Sequence, residues 1–183
     1  MSKEWSIWEG CKAGDPLSQR QLYEQYKSRL MGLCRRYAAS REEAQDMLQD
    51  AFVKIFQRMN QVEAPDKLFA WMKSIAVRTA VDHYHRHKKH QHEDLEAAEE
   101  MSDDYEPLAM LVDDGVLVGL INQLPERSRL VFNLNVVEGY DHDEIASMLE
   151  ITTATSRSQL HYAKALLKTK LKAIGILRYE RIA

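Results

Sequence analysis

Apolar side chains recur at spacings of three and four along most of residues 15–90, the pattern of amphipathic helices. Asp15 followed by Pro16 is typical of an N-cap and the first residue of a helix. The apolar stripe after this pair consists of Leu22, Tyr26, Leu30, Leu33 and Tyr37. Ser40 with Glu43 forms a capping-box pattern that starts a second helix, and Pro65 starts a third. The first half of the chain is therefore predicted to form a helical bundle.

Helical periodicity returns in the last third of the chain. The sequence Leu124-Pro125-Glu126 starts a helix that Glu138-Gly139 ends, and Asp141 with Glu144 forms another capping box. No run has the clear period of two that a half-buried strand requires, and only residues 130–137 are ambiguous. The fold class predicted from these patterns is all-α, with two small helical domains.

An acidic stretch without clear periodicity separates the two helical parts. From Glu93 to Asp114 there are ten acids and no lysine or arginine. A segment of this kind cannot bury enough apolar surface to order itself, so we interpret it as a flexible, partly disordered linker. The predicted domains are residues 1–92 and 115–183, joined by the linker at 93–114.

The overall composition favours a helical protein of the cytoplasm. Glycine and proline are scarce, with 7 and 4 residues. The two cysteines, Cys11 and Cys34, suggest neither a disulfide framework nor a thiolate metal site. No apolar run approaches the roughly 18 residues that a membrane span needs, and the N-terminus lacks the features of a signal peptide. We therefore expect a cytoplasmic protein without membrane insertion.

Positive charge is concentrated in two segments, although the net charge of the chain is −3. Residues 67–92 contain six lysines and arginines against one acid, Asp82. Residues 151–178 contain another six and no acid. Segments of this kind can create local positive fields, so DNA is a candidate partner for both helical domains.

The second basic segment has the layout of a helix-turn-helix. Residues 140–168 read YDHDEIASMLEITTATSRSQLHYAKALLK, with the turn at Glu150-Ile151-Thr152. Glu150 occupies a position that glycine often takes, which predicts a strained turn. The second helix would turn Leu160, Ala163, Leu167 and Leu171 inward. Its predicted DNA-reading residues are Thr155, Arg157, Ser158, Gln159, His161, Tyr162 and Lys164, on the outer face or beside it. A plain helical hairpin with a solvated basic face remains the alternative.

Two helices of the first domain offer surfaces of opposite character. The helix REEAQDMLQDAFVKIF carries Asp46, Gln49 and Asp50 on its polar face. The next helix, LFAWMKSIAVRTAVDHYHRHKK, ends in a basic cluster. Its candidate DNA contacts are Trp71, Lys73, Arg78, Asp82, His85, Arg86, Lys88 and Lys89. Basic side chains near aromatic ones suit unpaired DNA, although Trp71 fits a buried core equally well.

The two domains together resemble the extracytoplasmic-function sigma factors of bacterial RNA polymerase, of the sigma-70 family. The resemblance covers approximately residues 14–89 and 116–171, and it rests on EEAQDMLQDAFVKIF, FAWMKSIAVRTAVDHYHR, LPERSRLVF and the helix-turn-helix. It implies that Asp46, Gln49 and Asp50 bind the clamp helices of core polymerase. It also implies that the basic helix of the first domain contacts the minus-ten promoter element and assists melting, whereas the helix-turn-helix reads the minus-thirty-five element.

The resemblance has further implications and two departures. It implies no cofactor and no catalysis, so the chain is not expected to be an enzyme. Many family members are held inactive by an anti-sigma protein, which makes such a partner an open expectation here. Arg78 stands where many members have asparagine, and Tyr162 stands where arginine is frequent. These two departures put individual DNA contacts in doubt but not the overall pattern.

Two other interpretations compete with a sigma factor. The first is a helix-turn-helix regulator that never contacts polymerase, for which the acidic face of the first domain would have no use. The second is a metal-dependent enzyme using the histidine cluster of residues 83–92, because His83, His87 and His90 share one helix face. No cysteine accompanies these histidines and the nearby acids fall in the linker, so we predict no metal site.

Overall fold

The chain divides into two compact units, with the boundary between Gln91 and His92. The structure, a computed structural model, describes the backbone of residues 3–90 and 114–175. Within those two ranges the regular secondary structure is helical and no strand occurs, so the predicted all-α fold is confirmed. Almost all of the predicted linker, residues 93–113, lies outside the described residues.

The first unit contains four helices. They are α1 (Lys3–Lys12), α2 (Pro16–Tyr37), α3 (Arg41–Gln57) and α4 (Leu68–His90). Asp15 caps α2 as predicted, because its carboxylate accepts a hydrogen bond of 2.8 Å from the backbone amide of Ser18. Ser40 likewise caps α3 by accepting from the amide of Glu43 at 3.1 Å. A short 3₁₀ turn, Pro65–Lys67, leads into α4.

Helix α1 was not anticipated by the sequence patterns. It buries Ile7, Trp8 and Cys11, and it lies against α2. Gly10 permits a close approach of the two helices, since a Cβ atom built there would lie 2.0 Å from the hydroxyl oxygen of Ser18. The rest of the core of this unit lies between α2, α3 and α4, with Leu30 among its fully buried residues.

The second unit contains the remaining four helices. They are α5 (Asp114–Ile121), α6 (Glu126–Phe132), α7 (His142–Leu149) and α8 (Thr153–Ala173). The ambiguous run at residues 130–137 is helical, but α6 ends in a π-helical turn, Asn133–Val137. In that turn the backbone amide of Glu138 donates to the carbonyl oxygen of Asn133, five residues earlier. Gly139 then reverses the chain with a φ of 85°.

Helices α7 and α8 form the predicted helix-turn-helix. Asp141 and Glu144 make both hydrogen bonds of the capping box at the start of α7. Thr152 caps α8 by accepting from the amide of Thr155 at 3.0 Å. Between the helices, Glu150 adopts the left-handed conformation, with φ 55° and ψ 45°. The strained turn expected from the missing glycine is therefore present at this residue.

Replacing Glu150 with glycine is expected to stabilise the second unit. The left-handed conformation costs a residue with a Cβ atom about 1–2 kcal/mol, whereas glycine loses roughly 0.5–1 kcal/mol of that gain through its freer unfolded chain. We expect a net gain of up to about 1 kcal/mol in the free energy of unfolding, measured in urea. The matched control is Glu138→Gly, where φ is −95° and glycine should destabilise instead. Equal changes at both positions would contradict the argument from φ.

Candidate nucleic-acid interface

The outer face of α8 offers basic and hydrogen-bonding side chains near its first turns. Arg157 is exposed, and Tyr162 exposes 43% of its surface. Four further predicted DNA-reading residues are partly exposed on or beside this face, namely Thr155, Ser158, His161 and Lys164. An exposed helix face with these groups can enter a major groove, where arginine and hydroxyl groups bind base edges or phosphates.

Two polar contacts hold α8 against the start of α7. The hydroxyl of Thr153 donates to the carboxylate of Asp143 over 2.8 Å. Nδ1 of His142 lies 2.8 Å from the buried hydroxyl oxygen of Ser156. His142 and Asp143 thus occupy the first turn of a capped helix, as the sequence indicated, and they help to fix the orientation of the outer face of α8.

Gln159 requires a correction, because it does not lie on the outer face. Its residue is only 8% exposed, and its side-chain carbonyl oxygen accepts a hydrogen bond of 2.5 Å from the hydroxyl of Ser128 in α6. A side chain held inside the unit in this way cannot reach a base edge. Gln159 therefore joins α8 to α6, and we remove it from the predicted DNA-reading residues.

The candidate DNA contacts of α4 fall into three groups. Arg78, Asp82 and Arg86 are exposed. Trp71, Lys73 and His85 are partly buried, so the indole of Trp71 is neither a full core residue nor a free stacking platform. Lys88 and Lys89 belong to α4, but their side chains lie outside the described residues.

A series of charged pairs joins α3 to α4, and we call it the charge ladder. It consists of Glu43, Asp50 and Lys54 on α3, and of Asp82, His83, Arg86 and His87 on α4. At its centre, Oδ2 of Asp50 lies 2.9 Å from both Nε2 of His83 and Nη2 of Arg86. Lys54 binds Asp82 at 2.7 Å on one side, and His87 lies 3.4 Å from Glu43 on the other. The predicted polymerase-binding helix and the predicted DNA-binding helix are thus joined by their own functional side chains.

The charge ladder corrects two expectations about single residues. Asp50 is not simply displayed on a free polar face, because its carboxylate already binds two cationic partners. Asp82, predicted to contact DNA, is paired with Lys54. Sequence periodicity could not find these pairs, since their members are separated by 28 to 36 residues.

The hydrogen bond from Arg86 lowers the pKa of the Asp50 carboxyl below its ordinary value. Partial burial opposes this effect, and the contact with His83 adds to it. A carboxylate whose pKa is lower in the folded state stabilises the fold above its unfolded pKa, which is about 3.9 for aspartate. That stabilisation is lost as the pH falls through the folded pKa.

The Asp50→Asn variant is expected to lose stability near neutral pH but not in acid. Because both partners are substantially exposed, we expect a loss below about 1 kcal/mol at pH 7. The difference from the wild type should shrink as the pH falls below about 3.9, where the wild-type carboxylate takes up its proton. Urea unfolding at a series of pH values measures this difference. A gap that stays constant down to acid pH would exclude the proposed ionic origin.

The exposed face of α3 carries one apolar residue that the sequence analysis did not single out. Asp46 and Gln49 are exposed, as predicted. Val53, one turn further, exposes 53% of its surface on the same side of the helix. Its signal was an apolar residue out of phase with the stripe formed by Met47, Leu48, Ala51 and Phe52. A small acidic patch with an apolar residue beside it suits a protein partner with basic groups.

The histidine cluster does not form a metal centre within the part of the chain that the structure describes. No group of three or more candidate ligands occurs in residues 3–90 and 114–175. His83 and His87 are paired with acids of α3 instead. The side chain of His90 lies outside the described residues. Nor does any helix of those residues have the length and apolarity to cross a membrane.

Comparison with known proteins identifies both units. The model of sigma-70 region 2 matches residues 22–90, and the model of sigma-70 region 4 matches residues 115–167. Together these matches take in more than half of the chain. The chain belongs to the sigma-70 family of RNA polymerase sigma factors, and it is similar to extracytoplasmic-function members of that family.

Individual relatives are similar over nearly their whole length. The RNA polymerase sigma-H factor of Pseudomonas aeruginosa is 27% identical, over 94% of this chain and 95% of that protein. The ECF sigma-E factor of Haemophilus influenzae is 23% identical, over 92% and 95%. The ECF sigma factor SigW of Bacillus subtilis is 25% identical, over 88% and 92%. Among solved structures, the sigma factor RpoE of Bartonella quintana, in complex with the anti-sigma factor NepR, gives a TM-score of 0.49 at 17% identity, over 84% of this chain and 96% of that one.

Proposed function

We propose that this sigma factor brings core RNA polymerase to specific promoters and assists DNA melting, with its two units performing separate tasks. One observation carries the proposal: the first unit has an acidic protein-binding face on α3 beside a basic face on α4, and the second unit has a basic helix-turn-helix. A regulator that binds DNA alone has no use for the acidic face.

The tasks are assigned to particular side chains. Asp46, Gln49 and Asp50 bind the clamp helices of core polymerase, and Val53 adds an apolar contact. On α4, the minus-ten element is contacted by Trp71, Lys73, Arg78, Asp82, His85, Arg86, Lys88 and Lys89. On α8, the minus-thirty-five element is read by Thr155, Arg157, Ser158, His161, Tyr162 and Lys164. Joining two weak DNA readers in one chain raises the effective concentration of the second once the first has bound.

The proposal has consequences for location and chemistry. A protein that acts on polymerase and promoter DNA works in the bacterial cytoplasm. It needs no cofactor and catalyses no reaction itself, in keeping with relatives that are sigma factors rather than enzymes. An anti-sigma protein, as in the family, would occupy surfaces that polymerase otherwise binds.

Reconstitution with core polymerase tests the proposal. The purified full chain is mixed with core enzyme and a library of promoter fragments from its own genome, and run-off transcripts are sequenced. We expect transcripts with defined start points that require the chain. Core binding without any specific transcript would contradict promoter selection, whereas DNA binding without core binding would favour a regulator.

A further inference from the structure

One ion pair joins the two binding surfaces of the first unit. Asp50 belongs to the polymerase-binding face of α3, and Arg86 belongs to the DNA-binding face of α4, yet the two side chains bind each other. Nη2 of Arg86 donates to Oδ2 of Asp50 over 2.9 Å. The side chains remain 42% and 56% exposed, so an incoming partner can reach both.

We propose that Asp50 and Arg86 restrain each other in the free chain, and that polymerase and DNA each release the residue the other needs. A basic group of polymerase that takes over the carboxylate of Asp50 frees the guanidinium of Arg86 for a DNA phosphate. DNA that takes over Arg86 frees Asp50 in the same way. The inference rests on the proposed function, because it needs polymerase to bind at Asp50.

The neighbouring residues decide which partner leaves Asp50. His83 shares the same carboxylate oxygen, but it is only 7% exposed and stays within the α3–α4 contact. Arg86 lies on the outside, so its guanidinium is the group that can move to a phosphate. Lys54 is held by Asp82 one turn away and does not take its place.

The strength of the pair suits such an exchange. Exposed ion pairs change an equilibrium by less than about fivefold, so partners can break this one at little cost. Its loss still matters for binding, because a guanidinium neutralised by a carboxylate is a weaker phosphate ligand. By thermodynamic linkage, polymerase must then favour DNA binding by the same factor by which DNA favours polymerase binding.

The DNA half of the proposal is tested with the full-length Asp50→Asn variant. Its binding to a fluorescent single-stranded DNA of about 20 nucleotides is measured by anisotropy over a range of salt concentrations. We expect affinity about two- to fivefold above that of the wild type. The released Arg86 should also add one phosphate contact, which steepens the slope of log K against log salt by about 0.7. Misfolding could not produce both gains.

Two further variants separate the pair from a general change of charge. Glu42→Gln removes one negative charge from an exposed position of the same helix without touching Arg86, and it should leave the salt slope unchanged. Adding Arg86→Gln to Asp50→Asn should erase the gain. An Asp50→Asn protein that binds DNA no better than the wild type, or a gain that survives loss of Arg86, would overturn the inference.

The polymerase half is tested with Arg86→Gln, which leaves Asp50 without its outer partner. Its affinity for core enzyme should exceed that of the wild type by about two- to fivefold. Failure of the wild-type chain to bind core enzyme would contradict the proposed function, and the polymerase half of this inference with it. Normal core binding with no gain in Arg86→Gln would overturn the inference alone.

Discussion

Replacement of Leu149 with alanine is expected to lower the free energy of unfolding of the second unit by about 2–5 kcal/mol. Leu149 is fully buried at the end of α7, directly before the left-handed Glu150. Truncating it leaves a cavity between the two helices of the helix-turn-helix, which can close only if the turn gives way. We therefore also expect loss of specific binding to the minus-thirty-five element.

The positions of the tryptophans make this prediction easy to check. Trp5, Trp8 and Trp71 all lie in the first unit, so their fluorescence reports that unit, while circular dichroism reports the helices of both. In Leu149→Ala the fluorescence transition in urea should stay in place while part of the dichroism signal is lost earlier. The matched control, Leu30→Ala, removes a fully buried leucine from the first unit and should shift the fluorescence transition. A common shift of both signals in either variant would show that the units do not unfold separately.

The Asp46→Arg variant is expected to lose affinity for core polymerase by about 10- to 100-fold. Reversing a charge in an interface places like charges against each other, which costs on the order of a few kcal/mol, and each 1.4 kcal/mol is a factor of ten. Asp46 is a cleaner position than Asp50, because it is exposed and lies outside the charge ladder. Reversal at Asp50 would also set an arginine against Arg86 and His83.

Competition with labelled wild-type chain for core enzyme measures the effect of Asp46→Arg. Duplex DNA binding by the second unit should remain, since α8 is unchanged. The control is Glu9→Arg, which makes the same change of charge at an exposed position of α1. Core affinity of Asp46→Arg within about twofold of the control would show that this face of α3 does not bind polymerase.

Sequence patterns predicted those features of the fold that depend on neighbouring residues. The caps at Asp15 and Asp141 are local, because a side chain binds a backbone amide two or three residues away. The inner face of α8 also followed from periodicity, and Leu160, Ala163, Leu167 and Leu171 are all buried. Helix α1 was missed because a helix of ten residues depends on packing against another helix, which its own pattern does not reveal.

Features that depend on distant residues could not be predicted in this way. Gln159 lies at the border between the inner and outer faces of α8, and its burial is decided by Ser128, 31 residues earlier. Asp50 resembles Asp46 in sequence, but α4 brings His83 and Arg86 only to Asp50. The candidate surfaces were thus predicted as faces, whereas the availability of each side chain required the tertiary structure.

The wide turn at Asn133–Val137 acts as a one-residue insertion in the path from α6 to the helix-turn-helix. A π-helical turn accommodates one residue more than an α-helical turn, and each residue of a helix corresponds to about 100° of rotation. Deleting a single residue here would allow a regular α-helix to form and would rotate everything that follows by about that angle. The length of this segment therefore sets the direction in which α7 and α8 leave α6. A loss or gain of one residue at this point would re-aim the recognition surface without changing any residue on it.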